Sequence, residues 1–282
     1  MKNFLTISDL QPKQIHEILN LADQLKYEKQ HRVSHPMLQG KTLGIVPGSS
    51  SSRTRICLEV GMYDLGGQAV SLPADGLREE EEARIRESAQ CYSRFVDVIA
   101  LRALPHAVLT DFAQESGVPV LNGASDLADP CGTLADLMTI RERCGSFKGL
   151  RLCYAGPTGA AANSLIAGAL ALEMDVATVT APCAEETGAA LDCGGWTKCD
   201  NLADAAAGAD VLYTGPQATW GEIDSTIAGT GKSDMLVLHR QPAKRGAEIS
   251  EEVFAAHTEE IYDQAENKLH VIKALLVKLL LQ

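Results

Sequence analysis

No CxxC pair occurs among the eight cysteines of this 282-residue chain, which stand at positions 57, 91, 131, 144, 153, 183, 193 and 199. That absence removes the usual zinc-ribbon and thioredoxin-like spacings, so no metal or other cofactor is implied. No secretory signal pattern opens the sequence either, and the thiols are expected to be reduced and mostly buried in a cytoplasmic protein. Positive charge is in short supply. With 25 Lys and Arg against 37 Asp and Glu the formal net charge is -12, which speaks against general nucleic-acid binding while leaving room for a local basic pocket. Long apolar runs are also missing. The stretch Val271–Leu281 is interrupted by Lys273 and Lys278 and reads as a packing helix, so no membrane span is expected. Nucleotide signatures are incomplete: Gly231-Lys232-Ser233 looks like the tail of a P-loop, but Thr226 stands where that motif needs glycine. Gly156-Pro157-Thr158-Gly159 lacks the dinucleotide fingerprint and reads as a close-packed strand-to-helix turn.

What is present alternates. Gln11 and Pro12 suit a helix cap and first position, followed by Ile15, Ile18, Leu19, Ala22 and Leu25 on one face. Strand patterns recur at Thr42–Val46, Gln68–Leu72, Val96–Leu101 and Val118–Leu121, and again at Leu150–Ala155, Asp175–Thr180, Asp210–Thr214 and Met235–His239. Strands spaced by helices predict an α/β protein with two domains, each a parallel β-sheet flanked by helices. The expected partition is a first domain over 1–140, a second over 141–257, and a C-terminal helix over 258–282. A helix is expected to start around Thr133. Arg78-Glu79-Glu80-Glu81-Glu82 reads as the solvated first turn of another.

The densest chemistry lies at Ser51-Ser52-Arg53-Thr54-Arg55, directly after the first strand and the turn-forming Pro47-Gly48-Ser49-Ser50. Backbone N–H groups, hydroxyls and guanidiniums converge there on a dipole-positive helix start, which is a ready site for a phosphate or carboxylate. The same spacing also describes a capped helix with surface arginines. Parallel sheets bind ligands beyond the carboxyl ends of their strands, and Arg102, Gly156–Asn163, Gly215 and His239 all fall at such ends.

These segments resemble the aspartate/ornithine carbamoyltransferase family, nearer its ornithine branch. The anion loop is similar to the family's Ser-Thr-Arg-Thr-Arg carbamoyl-phosphate loop, with Ser52 where threonine is usual. Val118–Gly123, Leu134–Ile140, Ala209–Thr214 and Asp263–His270 match further family segments in the same order. The resemblance implies the two-domain fold, a C-terminal helix that returns to the N-terminal domain, and a homotrimer. It also implies small-molecule substrates, namely carbamoyl phosphate and an acceptor, bound through Ser51, Ser52, Arg53, Thr54 and Arg102. Arg78–Glu82 would lie where the family can reach into a neighbouring subunit.

Departures from the family carry the expectation about activity. Its His-Pro-x-Gln reads here Asp129-Pro130-Cys131-Gly132, so an imidazole donor becomes a carboxylate and the glutamine side chain is lost. The arginine of Ala-Glu-Asn-Arg is Lys268, which keeps charge but not the fork. His-Cys-Leu-Pro becomes His239-Arg240-Gln241-Pro242, and the acid before Ser-Met-Gly is replaced within Gly215-Pro216-Gln217-Ala218-Thr219-Trp220-Gly221. Paired family asparagines fall on Gly159 and Ala160, and the segment from Gly221 to His239 is shorter than the family's closing loop. Catalytic roles therefore fall to Arg53, Arg102, Asp129, Arg240 and Lys268. Acceptor contacts fall to Thr219, Trp220, His239, Arg240 and Gln241. Asp129 and Arg240 hold positions that face each other in the family's site, where they would pair, or Arg240 would polarise the carbonyl. The expectation is a transferase whose acceptor is not ornithine. The alternative is a catalytically inactive paralogue acting as an anion-binding or subunit-interaction protein.

Overall fold

A computed structural model describes residues 1–47, 52–74, 77, 81–179, 194–216 and 220–281, with the side chain of Ser52 also outside the description. The chain divides into two compact units, Met1–Leu134 with Asn267–Gln282, and Ala135–Glu266.

The first unit carries strands β1 (Thr42–Val46), β2 (Gln68–Ser71), β3 (Val98–Leu101) and β4 (Val120–Asn122), ordered β2-β1-β3-β4 and all parallel. Its helices are α1 (Pro12–Gln30), α2 (Ser52–Asp64), α3 (Glu82–Tyr92) and α4 (His106–Glu115). Helix α1 starts where expected, with Pro12 at its first position and Gln11 in a capping box with Gln14. Its buried face is Ile15, Ile18, Leu19, Ala22 and Leu25, each large side chain contributing on the order of 1.5–3 kcal/mol by leaving water. Strands β3 and β4 are buried at every position, the mark of parallel strands covered on both faces. The edge of β4 is closed by Phe4, which exchanges backbone hydrogen bonds of 2.9 Å with Val120 and Asn122. No sequence pattern announced that bridge, because one residue has no periodicity.

The second unit holds β5 (Arg151–Ala155), β6 (Asp175–Thr178), β7 (Trp196–Lys198), β8 (Val211–Thr214) and β9 (Leu236–His239), ordered β7-β6-β5-β8-β9 and again all parallel. Between them come α6 (Ala160–Ala171), α7 (Leu202–Ala206) and α8 (Ser225–Ala228), with α9 (Glu251–Ala256) after β9. Strand β7 was not foreseen. It is a three-residue edge strand with exposed Thr197 and Lys198, too short and polar to show alternation.

Helices α5 (Pro130–Cys144) and α10 (Thr258–Leu280) each contain a point at which the chain passes from one unit to the other. The C-terminal half of α10 belongs to the first unit. Helix α5 begins three residues before the expected start at Thr133, because Asp129 supplies the cap. Of the acidic run, Glu81 occupies the N-cap position of α3 without a side-chain cap bond and Glu82 lies in its first turn, while Arg78–Glu80 lie outside the described residues. Among the described cysteines, all unbridged, Cys57, Cys131 and Cys153 are buried, Cys144 and Cys199 are intermediate, and Cys91 is exposed. The expectation of mostly buried thiols is therefore only half met, since Cys91 sits on the solvent side of α3. No described helix is long and apolar enough to cross a membrane.

Candidate functional site

In the first unit the strand order reverses at β1 and β3, whose chain connections leave toward opposite edges of the sheet. Such a switch point opens a crevice beyond the strand ends, and the two leading arginines sit there by sequence. Arg53 is in the first turn of α2, after β1, and Arg102 directly follows β3. Arg53 is exposed and Thr54 is buried, whereas Ser51 and the Ser52 side chain lie outside the described residues. Arg102 is buried, only 5% exposed, and its Nε donates to the Gly123 carbonyl at 3.1 Å.

The loop after β4 holds Arg102 in place. Ala103 and Ala124 adopt positive φ angles of 50° and 108°, and Ala103 N–H donates to the Ala124 carbonyl at 2.8 Å. Left-handed backbone in non-glycine residues is strained, and strain of this kind clusters where a site over-determines the chain. Asn122 secures the loop by donating to the Leu5 carbonyl at 2.7 Å and accepting from Ala124 N–H at 2.9 Å. Ser125 Oγ accepts from Ala128 N–H at 3.0 Å. The sequence reading passed over Asn122 and Ser125; their signal was an Asn-Gly-x-Ser turn directly after a strand. Gly123 is a close approach, since a Cβ there would lie 2.5 Å from Arg102 Cγ. Gly123→Ala should therefore displace the Arg102 stem and weaken anion binding by about tenfold, as expected when a site residue shifts by a fraction of an ångström. Calorimetric titration with phosphate checks this.

Asp129 is 1% exposed and opens α5 as its cap, with Oδ1 accepting from Gly132 N–H at 3.1 Å. Within the same unit Lys268 is an ion partner, with Nζ 3.7 Å from Oδ1. Next to the cap, Cys131 donates through Sγ to the Asn122 carbonyl at 3.3 Å. Burial pushes the Cys131 thiol up to about 12, with Lys268 and Arg102 pulling the other way. Burial likewise raises Cys57, against Lys268 and Arg53. Both thiols stay protonated at neutral pH and neither suits a nucleophile. Lys268 acts electrostatically on both sulfurs, Arg53 on Cys57 and Arg102 on Cys131, so the three charges share one neighbourhood.

In the second unit the switch point lies at β5 and β8, followed by Gly156 and Gly215, with Arg240 after the neighbouring β9. A Cβ on Gly215 would lie 3.3 Å from Arg240 Cβ, so glycine and arginine stand side by side. Burial raises the Tyr154 phenol, and the Arg240 charge opposes that shift. Tyr154 stacks on Tyr213 at 5.7 Å between centroids and donates to the Pro157 carbonyl at 2.9 Å, closing the turn after β5.

His239 is fully buried, with Nε2 3.2 Å from Glu248 Oε2. The same oxygen accepts from Lys244 N–H at 2.7 Å, so Glu248 anchors the turn that carries Arg240, Gln241 and the cis Pro242. Burial lowers the His239 pKa against the pull of Glu248, which leaves a neutral ring at neutral pH. His239 thus braces the Arg240 turn from beneath. Glu248 was missed in the sequence, where a lone glutamate nine residues on gives no periodic signal. Trp220 is 37% exposed, and Thr219 lies outside the described residues. No described group of His, Cys, Asp and Glu could hold a metal ion.

Comparison with known proteins accounts for this arrangement. Residues 2–142 match the family model described as aspartate/ornithine carbamoyltransferase, carbamoyl-P binding domain. Residues 148–279 match the one described as aspartate/ornithine carbamoyltransferase, Asp/Orn binding domain. The chain is 35% identical to the ornithine carbamoyltransferase of Methanocorpusculum labreanum, covering 100% of this chain and 99% of that protein. It is 36% identical to that of Methanoculleus marisnigri, covering 99% and 97%. Among solved structures, the ornithine carbamoyltransferase of Pyrococcus furiosus superimposes with a TM-score of 0.91 at 31% identity, covering 99% of this chain and 97% of that one. Two domain matches in order, full-length relatives and a common fold place the chain in one family: it belongs to the aspartate/ornithine carbamoyltransferases.

Proposed function

We propose that this protein binds carbamoyl phosphate and transfers its carbamoyl group to an amine acceptor other than ornithine. The observation that carries the acceptor side is the pairing of Gly215 with Arg240 at the ends of β8 and β9. A cationic amino-acid head group would meet a positive charge there, and glycine offers no counter-ion. A neutral or acidic acceptor suits Arg240, whose planar fork matches a carboxylate. On the donor side, Arg53, Arg102 and Lys268 provide positive charge for the phosphate and the developing oxyanion. The acceptor nitrogen, delivered uncharged, attacks the carbamoyl carbon. The bond from that carbon to the bridging oxygen breaks, inorganic phosphate leaves, and the attacking nitrogen gives up a proton. A cytoplasmic homotrimer is part of the same proposal, and light scattering tests the assembly.

A second reading rests on the relatives, whose name makes ornithine their acceptor. One experiment separates the two. The purified protein is given carbamoyl phosphate with a panel of amines, amides and amino acids, and phosphate release and the carbamoylated product are measured. Release dependent on a neutral or acidic acceptor is expected. Citrulline formation with kcat/KM in the ordinary enzymatic range of about 10⁴–10⁸ M⁻¹s⁻¹ would establish ornithine instead. Binding without release for any acceptor would favour an anion-binding paralogue.

A further inference from the structure

Asp129 is an odd residue to find beside an anion site, since a carboxylate there repels the ligand. Three observations show how it is accommodated. Gly132 leaves the space that the carboxylate fills: a Cβ on residue 132 would lie 2.5 Å from Asp129 Oδ2 and 2.8 Å from Cγ. Gly132 also donates its N–H to Oδ1, which fixes the rotamer. Lys268, on the part of α10 that belongs to the first unit, brings Nζ to 3.7 Å from the same oxygen. The Lys268 side chain is 14% exposed and that of Asp129 2%, so the pair is largely shielded from solvent screening.

We propose that Asp129, Gly132 and Lys268 form one interdependent unit, in which Asp129 is a positioning residue that holds the Lys268 ammonium at the anion site. The reasoning is steric and then electrostatic. Any side chain at 132 would collide with the carboxylate, so an aspartate at 129 in this rotamer requires glycine at 132. Lysine is a flexible point charge with a long stem, unlike the pre-organised fork of arginine, and it loses rotamer entropy when it binds an anion. An anchored carboxylate that is itself held by a backbone N–H removes part of that cost in advance. The substitutions at 129, 132 and 268 are then a single replacement of one polar arrangement by another. Asp129 acts through Lys268 and is not itself a general base. This inference rests on the carbamoyl-phosphate reading above.

The test is a calorimetric titration of the full-length protein with phosphonoacetamide, a non-hydrolysable carbamoyl-phosphate analogue. Asp129→Asn keeps a capping oxygen for α5 and removes only the charge. Simple electrostatics predicts tighter anion binding once a nearby negative charge is gone. Positioning predicts the opposite, a loss of about fivefold or more, because the ammonium is released. Lys268→Met should weaken binding by about tenfold, and the double variant should match Lys268→Met to within about twofold, as a positioning role exerted through the lysine requires. Gly132→Ala, which pushes the carboxylate aside, should behave like Asp129→Asn. Unchanged or tighter binding by Asp129→Asn, or additive losses in the double variant, would overturn the positioning role while leaving the carbamoyl-phosphate reading intact. A wild-type protein that does not bind the analogue would overturn both.

Discussion

Replacing Arg102 with methionine should lower affinity for carbamoyl phosphate or its analogue by about 10²–10³-fold, the range for losing a shielded charge partner or one oxyanion donor. The size follows from where the side chain sits. Arg102 is only 5% exposed, so its charge acts at short range with little competition from water. Its Nε is tied to the Gly123 carbonyl, and that carbonyl lies on a loop held by Asn122 and by the strained Ala103 and Ala124. The guanidinium is thus aimed before any ligand arrives, which spares the ordering cost that a surface arginine would incur. Methionine keeps the stem packed over Gly123 and removes the charge and the donors. The carbonyl left behind should cost about 1–3 kcal/mol of stability as well. Lysine at 102 should recover only part of the binding, since it lacks the fork. Calorimetry on the three proteins checks the order, and a loss under about threefold for the methionine variant would remove Arg102 from the site.

Acidification should destabilise the protein steeply, with about 3 kcal/mol lost between pH 6.5 and pH 4 through His270 alone. His270 is fully buried on α10. Burial, and after it the positive charges of Lys273, Lys26 and Lys29, push its pKa down to about 3. The unfolded chain takes up a proton near pH 6.5 while the folded chain does not, so the unfolded state binds more protons throughout the interval down to about 3. Stability therefore rises with pH across that window and falls as acid is added. Lys273 adds a second window of the same sign. It is fully buried, donates to the Leu25 carbonyl at 3.1 Å, and contacts His35 Nε2 at 3.1 Å. Burial lowers its pKa to about 8 against the attraction of Asp64. From about pH 8 to its unfolded value the unfolded state again binds more protons, and stability climbs. Urea unfolding at pH 7 and pH 4 should show a wild-type loss about 3 kcal/mol greater than that of His270→Gln. Equal losses would mean that His270 is protonated in the folded state.

Much of the fold was legible because parallel strands and packing helices write their periods into the chain. Leu43, Ile45 and Val46 form an apolar run that only a buried strand explains, and all three are buried in β1. The face of α1 repeats every three or four residues and is likewise buried. Strand ends were less legible. Val96 lies outside β3 and Val118 outside β4, although both are apolar, since packing against a core does not require a place in the ladder. Arg53 and Arg102 could be placed beyond strand ends because chain order in a parallel sheet dictates which residues follow the carboxyl edge.

What the sequence by itself determined is therefore the class of fold and the places of Arg53 and Arg102, directly after the first and third strands. These depend on local periods and on residue identity. Only the tertiary structure decided which charge answers which. Asp129 is met by Lys268, which stands 139 positions away along the chain, and Glu248 carries both His239 and the Lys244 backbone. The physical reason is that electrostatic and hydrogen-bond partners are chosen by distances of about 3–4 Å in space, for which sequence separation carries no period to read.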